Sequence, residues 1–519
     1  MAAALVIFAW AVFWPSSPNR GFSAETAPML LDGTEYQQTM DMAWKELLAN
    51  EDLDAMSHLN QLREVGVDDP AVFMLAAVIE GGCGNWAGWE REVRQAASLA
   101  EGRVGAVDEL AWEVGKNIDN REPWTWWPQV MHDHMERYPD DLLGQYLNVL
   151  GMRFWHLEVP LDEPALDRLE AAVPNAVAPI VLRAGIYQEM GRRQDARIAL
   201  EVGLERNPRS AQLLAGLAAT DLLDNPEEAL LRAQRALQLD SSWYPARATF
   251  AIAALKLDRE DDFQWMQRSV IGDEISSDAC EHFVGRVGAF LVEQGRLREA
   301  GFLWDHMDER FQEDSNYVGR AKAAYQTIPT FTHQWLATSE QLEDRLERLE
   351  ASLATPNLGG VVHQNGALMS SFVRGLLDAR AGRVDSAERA RQQLVQLRQR
   401  WEQRARLLEM ELLAARSEAG TLLAGDDSCV PMVKAGTLLV DMGEVAAKVL
   451  FERVLNEQSF CDSVQQLALA RAGMVLMALE EGNDELAREH LAALQSLWPR
   501  ADPELPVMRR IAAAMAEQD

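Results

Sequence analysis

Val177-Ala-Pro-Ile-Val-Leu-Arg-Ala-Gly-Ile-Tyr-Gln-Glu-Met-Gly-Arg-Arg-Gln-Asp-Ala-Arg-Ile-Ala-Leu-Glu-Val-Gly-Leu-Glu-Arg-Asn-Pro-Arg-Ser210 is the stretch on which the fold turns. It reads as two short helices about a glycine turn. The first runs from Ile180 to Tyr187, the turn falls at Gly191, and the second runs from Ala196 to Gly203. Ala184 and Ala196 are small, so the two helices of the hairpin can approach closely. Tyr187 and Leu200 fill the space beside them, and Pro208 cannot continue the second helix.

The unit recurs. Pro70, Pro139, Pro174 and Pro208 stand 69, 35 and 34 residues apart, that is two periods, one and one. Leu217-Ala218 with Ala229, Ala233 and Ala236 forms the next unit, and Phe250-Ala251 begins another 33 residues on. Val287-Gly288, Leu291, Gly295, Ala300 and Trp304 mark a fourth. Weaker echoes are Ala43 with Ala55 and Leu59, and Ala76-Ala77 with Trp89 and Val93. Later come Gly375/Gly382/Ala387, Gly436/Gly443/Ala447, and Gly482/Ala487/Leu491 with Pro499. This spacing resembles the tetratricopeptide-repeat family over most of residues 38–500, best over 177–310. The departures are Asp221 and Ala254 where the pattern wants an aromatic, and Asp262 where it wants alanine. The resemblance implies an all-α chain: a right-handed superhelical solenoid of antiparallel helix hairpins.

Composition agrees with that class, since Ala, Leu, Arg and Glu dominate and β-branched runs are rare. The net charge is −32, and of 49 basic residues only six are lysine. Such a field disfavours nucleic acid as a partner and keeps a long Ala/Leu-rich array in solution. Four segments follow. Residues 1–37 are an apolar anchor or signal with a spacer. Residues 38–325 are the better-phased array. Residues 326–366 are an irregular connection with one charged helix, Ser339–Leu353, and a loop from Thr355 to Gly366. Residues 367–519 form a second array.

Ala2 to Trp14 is uncharged and lacks a polar face. It is shorter than the roughly 20 residues of a comfortable membrane span, and fits the apolar region of a signal peptide or signal anchor. The expected location is therefore the inner membrane, facing the periplasm, with the cytoplasm as the alternative. Cys83, Cys280, Cys429 and Cys461 show no metal spacing. Cys429 and Cys461 lie 32 apart, so they are a possible disulfide in an oxidising compartment, or else two buried thiols.

Several stretches compete as sites. Seven of the sixteen tryptophans lie in 86–155. Glu122-Pro-Trp-Thr-Trp-Trp-Pro128 is bracketed by prolines and reads as non-helical, so Trp124, Trp126 and Trp127 either cap neighbouring hairpins or form an aromatic surface for protein or carbohydrate. His132 and His134, two apart on a helix, point to different sides and make a poor metal pair. Residues 374–416 carry ten Arg against six acids, densest at Arg398, Arg400, Arg404 and Arg406; they dock an acidic partner or are a solvated face. The resemblance also places the free face of each first helix on a concave groove: Val181, Gly185 and Gln188, then Ala215, Ala219 and Leu222, then Ala248, Ile252 and Leu255. Such a groove suits an amphipathic partner helix, unless tight curvature fills it with the protein itself.

No nucleophile elbow, phosphate loop or dinucleotide fingerprint occurs, and no cofactor is expected. The function expected is a non-enzymatic protein–protein interaction scaffold organising an envelope complex for secretion, surface assembly or polymer export. The alternatives are a carbohydrate- or peptidoglycan-binding module built on the tryptophans, and a regulatory subunit active only with a partner.

Overall fold

Ala184, Ala196, Ala218, Ala229, Ala233, Ala251 and Ala300, the small residues that mark the repeat, are all fully buried in the computed structural model. It describes residues 33–49, 52–82, 86–118, 123–154, 163–172, 176–241, 243–272, 277–313, 327–328, 331–354, 360–396, 401–418, 429–456, 461 and 463–517. The apolar stretch 2–14, Cys83, Arg398 and Arg400 lie outside these residues, as do the side chains of Trp124 and Cys280. Among the described residues there are 25 helices and no strand.

The helices pack in neighbouring pairs. Ala178–Glu189 packs with Arg193–Arg206, Ala211–Asp221 with Pro226–Leu239, Tyr244–Lys256 with Glu260–Gly272, and Ser277–Glu293 with Leu297–Glu313. Later pairs are Gly360–Arg380 with Val384–Val395, Cys429–Asp441 with Ala447–Asn456, and Val464–Glu480 with Asp484–Leu497. A turn of a few residues between such helices leaves only an antiparallel arrangement. In five of these pairs the turn places a glycine in the left-handed region: Gly191, Gly295, Gly382, Gly443 and Gly482, with φ of 75, 70, 73, 75 and 67°. There a Cβ would be strained and glycine is not. Side-chain caps start several helices: Ser210, Asn225, Ser463 and Asn483 each accept a backbone N–H of the first turn, which removes one orphan donor per helix.

The two helices of a pair differ in burial. The first helices Ala211–Asp221 and Tyr244–Lys256 are buried on nearly every face, whereas Pro226–Leu239 buries one stripe of Ala229, Leu230, Ala233 and Ala236. First helices touch their own partner, the preceding second helix and the next first helix, so small residues are needed on several faces at once.

Two stretches read from sequence as irregular are helical. Pro123–Arg137 is one helix, with Pro128 inside it. Pro123 sits at the start, where a missing N–H costs nothing. Pro128 forfeits one backbone bond, while Trp126 and Trp127 join the core cluster on its far side. Gly360–Arg380 is likewise continuous, so Gly366 is not a loop residue. A Cβ on Gly366 would stand 2.5 Å from Leu353 Cδ2; this glycine allows close packing on the charged helix Ser339–Leu353, which starts with a capping box at Thr338 and Gln341 as a helix of its own.

The apolar core is not divided at 326–366. One cluster runs from Ala218 to Ile511 and includes Phe331, Trp335, Leu342 and Leu349. A second runs from Ala43 to Leu182, and smaller clusters lie between them. Distant parts of the chain also meet. Val177 N donates to Leu48 O at 2.8 Å. The segment 463–502 returns to the pair at 277–313: Trp498 Nε1 donates to Glu293 O at 2.8 Å, Asp502 N to Gly295 O at 2.9 Å, and Arg298 N to Asp502 Oδ2 at 2.6 Å. Cys429 and Cys461 are joined as a disulfide with Cα atoms 5.4 Å apart, which ties the start of Cys429–Asp441 to the residues before Val464–Glu480 across the intervening helix.

Candidate functional site

The groove positions are interior rather than open, which corrects the expectation of a partner groove there. Val181, Gly185, Gln188, Ala215, Ala219, Leu222, Ala248, Ile252 and Leu255 are all buried. Their neighbours explain it. Gln188 Nε2 donates to Thr220 Oγ1 of the next first helix at 2.7 Å. Ala215 clusters with Trp243 and Ala246, and Leu222, Ala248, Ile252 and Leu255 belong to the large core. Small side chains bring successive first helices together until no room remains between them.

Trp126 and Trp127 are also core. They are 7% and 4% exposed, with ring centroids 5.7 Å apart; they are no surface for a sugar or a partner. His134 is buried, and its Nε2 lies 2.7 Å from Asp141 Oδ2, an oxygen that also accepts Gly144 N. His132 instead faces Glu136 on the solvent side, so the two histidines point apart. No group of three His, Cys, Asp or Glu among the described residues could hold a metal ion. In the arginine-rich stretch, Arg374 pairs with Glu350, Arg383 with Asp378, and Arg391 with Glu388.

Three features were not read from the sequence. The first is a repeated exposed apolar position. Ile198, Leu231, Trp265 and Phe302 are 48, 60, 55 and 57% exposed, and they stand on four successive second helices. Each lies two residues after a fully packed one, Ala196, Ala229, Phe263 or Ala300. The signal was legible as apolar residues at spacings of 33, 34 and 37 on the wrong side of each helix.

The second is a cavity of about 300 Å³ beside Ile198. Its lining includes the apolar Ile180, Ala199 and Val202 together with several charged side chains. Arg183 donates to Glu170 at 2.8 Å and to Asp167 at 2.7 Å, and Arg192 lies over the Tyr187 ring at 4.2 Å.

The third is a buried ionic node. Lys434 Nζ donates to Glu411 Oε1 at 2.6 Å and also to Gln334 Oε1. Arg380 donates to Glu411 Oε1 at 3.0 Å and to the Thr332 carbonyl. Burial pushes the Lys434 ammonium down to about 8, Glu411 opposing the shift. Burial raises the Glu411 carboxyl, but Lys434 and Arg380 more than offset it and leave it below the usual carboxylate range. Beside them Asp441 accepts Trp335 Nε1 at 3.1 Å and pairs with Arg510. A lone lysine and isolated acids scattered over 100 residues of sequence carry no spacing that announces such a node. Compared with known proteins, the chain matches no family model and no curated protein.

Proposed function

We propose that the chain is a tetratricopeptide-like solenoid, wound right-handed, that serves as a protein–protein interaction scaffold without chemistry of its own. The observation that carries this reading is the apolar position repeated at Ile198, Leu231, Trp265 and Phe302. A side chain exposed at the same place in four successive units adds little to the core, and a row of aromatic and aliphatic groups gives a partner large contact area at low entropy cost. The cavity next to Ile198 adds further apolar lining from Ile180, Ala199 and Val202 beside this row. The test is a pull-down with Leu231→Ser combined with Trp265→Ser. Proteins captured by the wild type should be lost, with the melting curve unchanged and with capture retained by a Val104→Ser control. Capture of the same proteins by the double variant refutes the reading.

The scaffold is placed at the inner membrane, facing the periplasm, as the organiser of an envelope complex. Two observations support this: the uncharged run Ala2 to Trp14, and the Cys429–Cys461 disulfide, a bond that persists in oxidising compartments. Full-length protein should fractionate with membranes and lose that association when residues 1–20 are deleted; recovery in the cytosolic fraction would count against the anchor. Burial of Trp126 and Trp127 weighs against the carbohydrate reading.

A further inference from the structure

We propose that His333 is the proton-sensing element of a latch, and that its protonation in mildly acidic solution releases the segment Phe331–Thr338 together with the last helix, Pro506–Ala516, from the rest of the fold. The geometry begins with the neighbours of His333. Thr332 and Gln334 are each held by a buried cation: Arg380 donates to the Thr332 carbonyl, and Lys434 to the Gln334 side chain. His333 is thus pinned between two positive groups. Its Nδ1 accepts the backbone N–H of Trp335 at 3.3 Å, and its Nε2 is buried with no acceptor in reach. The ring therefore has a use for a lone pair on Nδ1 and none for a second proton.

The next residue carries the consequence outward. Trp335 donates through Nε1 to Asp441, its carbonyl accepts Val507 N at 3.1 Å, and Arg510 both pairs with Asp441 and lies over the indole at 5.8 Å. The last helix is held on one side by Trp335 and Asp441. The charged groups of this site come from four helices. Arg380 from Gly360–Arg380 and Lys434 from Cys429–Asp441 act on His333 through their charges. Glu411 from Glu402–Ala415 pairs with both. Asp441 from Cys429–Asp441 and Arg510 from Pro506–Ala516 pair beside Trp335. That is three cations against two carboxylates. Protonated His333 would be a fourth cation in a site whose carboxylates are already engaged, and opening the segment to water removes the conflict.

Burial first, then Lys434 and Arg380, hold the imidazole well below its ordinary value of 6.5. A folded value below the open-state value contributes stability that is present above about pH 6.5 and is lost as pH falls. Glu411 stays ionised across that window, because its own carboxyl lies below the usual range. For one proton taken up on opening, with an open-state value of about 6.5, the opening equilibrium rises roughly tenfold between pH 7.0 and 5.5.

The test uses the full chain and amide hydrogen exchange, corrected for the chemical rate at each pH, on peptides covering 331–338 and 506–516. Wild-type protection in both should fall by roughly tenfold from pH 7.0 to 5.5, and His333→Gln should hold its protection. Lys434→Met removes one of the flanking cations, so protonated His333 is less penalised in the closed form and the fall in protection between pH 7.0 and 5.5 should be smaller than in the wild type. Equal wild-type protection at both pH values overturns the proposal, as does the same loss in His333→Gln. Should that variant fail to fold, Lys434→Met decides alone: a fall in protection as large as in the wild type means that His333 does not sense the proton in this environment.

Discussion

Asp258 shows how a single residue can be out of pattern and still obey the physics of the repeat. It stands at φ 54° in the turn between Tyr244–Lys256 and Glu260–Gly272, where five other pairs place glycine. Aspartate is among the side chains that tolerate this region, at some cost. Asp258→Gly should therefore raise the urea midpoint, by about 0.5 kcal/mol after the extra chain entropy of glycine and the exposed pair with Arg500 are allowed for. The converse change, Gly482→Asp, should lower it by about 1 kcal/mol. Midpoints that move in the same direction in both variants would disprove the backbone account. Asp221 departs from the pattern for a different reason. It is fully buried and pairs with Arg197 and with Arg232, the latter at 2.8 Å, so it links the second helices of two successive pairs. The sequence marks it as an exception, yet its two partners are 24 residues before and 11 after it, and only the folded chain brings all three together.

At the scale of helices, legibility follows locality. Alanine, the glycine turn and the terminating proline all act within one pair, so the pair at 178–206 could be read close to its ends and the next ones to 313 placed in order by their marker residues. The proximity of Cys429 and Cys461 was readable for the same reason, through a one-unit offset, while the choice between a disulfide and two buried thiols was not. What failed depended on neighbours outside the pair. Gly366 looks like a turn residue until Leu353 is seen 2.5 Å from where its Cβ would be. Pro128 looks like a helix stop until Trp126 and Trp127 are seen buried beside it. The groove failed similarly: Ala215 and Ala219 are as consistent with a ligand face as with a tight helix contact, and the second was realised. Conversely the exposed row of Ile198, Leu231, Trp265 and Phe302 was overlooked because scattered surface apolar residues are ordinary; only their common repeat position sets them apart.

At the scale of the molecule, a chain of helix pairs touching only their neighbours would have stability that is a sum of local terms, and a change near the C-terminus would not be felt 200 residues earlier. This chain departs from that behaviour, because 463–502 returns to the pair at 277–313. Glu293 accepts Ser463 Oγ at 3.0 Å and Gln465 N at 2.9 Å, and Arg500 pairs with Glu260 at 2.6 Å. The centre of the contact is Trp498, buried and set against Gly295, where a Cβ would stand 2.9 Å from the indole. Trp498→Ala removes the indole packing and the bond to the Glu293 carbonyl, a loss of about 3–5 kcal/mol. Local opening around Gly295 should then become more frequent by roughly a hundredfold to a few thousandfold. Trypsin reports this directly, since Arg296 and Arg298 follow that turn and Arg296 is buried in the closed form. Cleavage after these two arginines should accelerate strongly in Trp498→Ala, while cleavage in the pair 178–206 keeps its wild-type rate. If both regions accelerate together, Trp498 supports the whole array rather than this return. If neither does, the two segments are not joined in solution and the chain behaves as an open row of pairs.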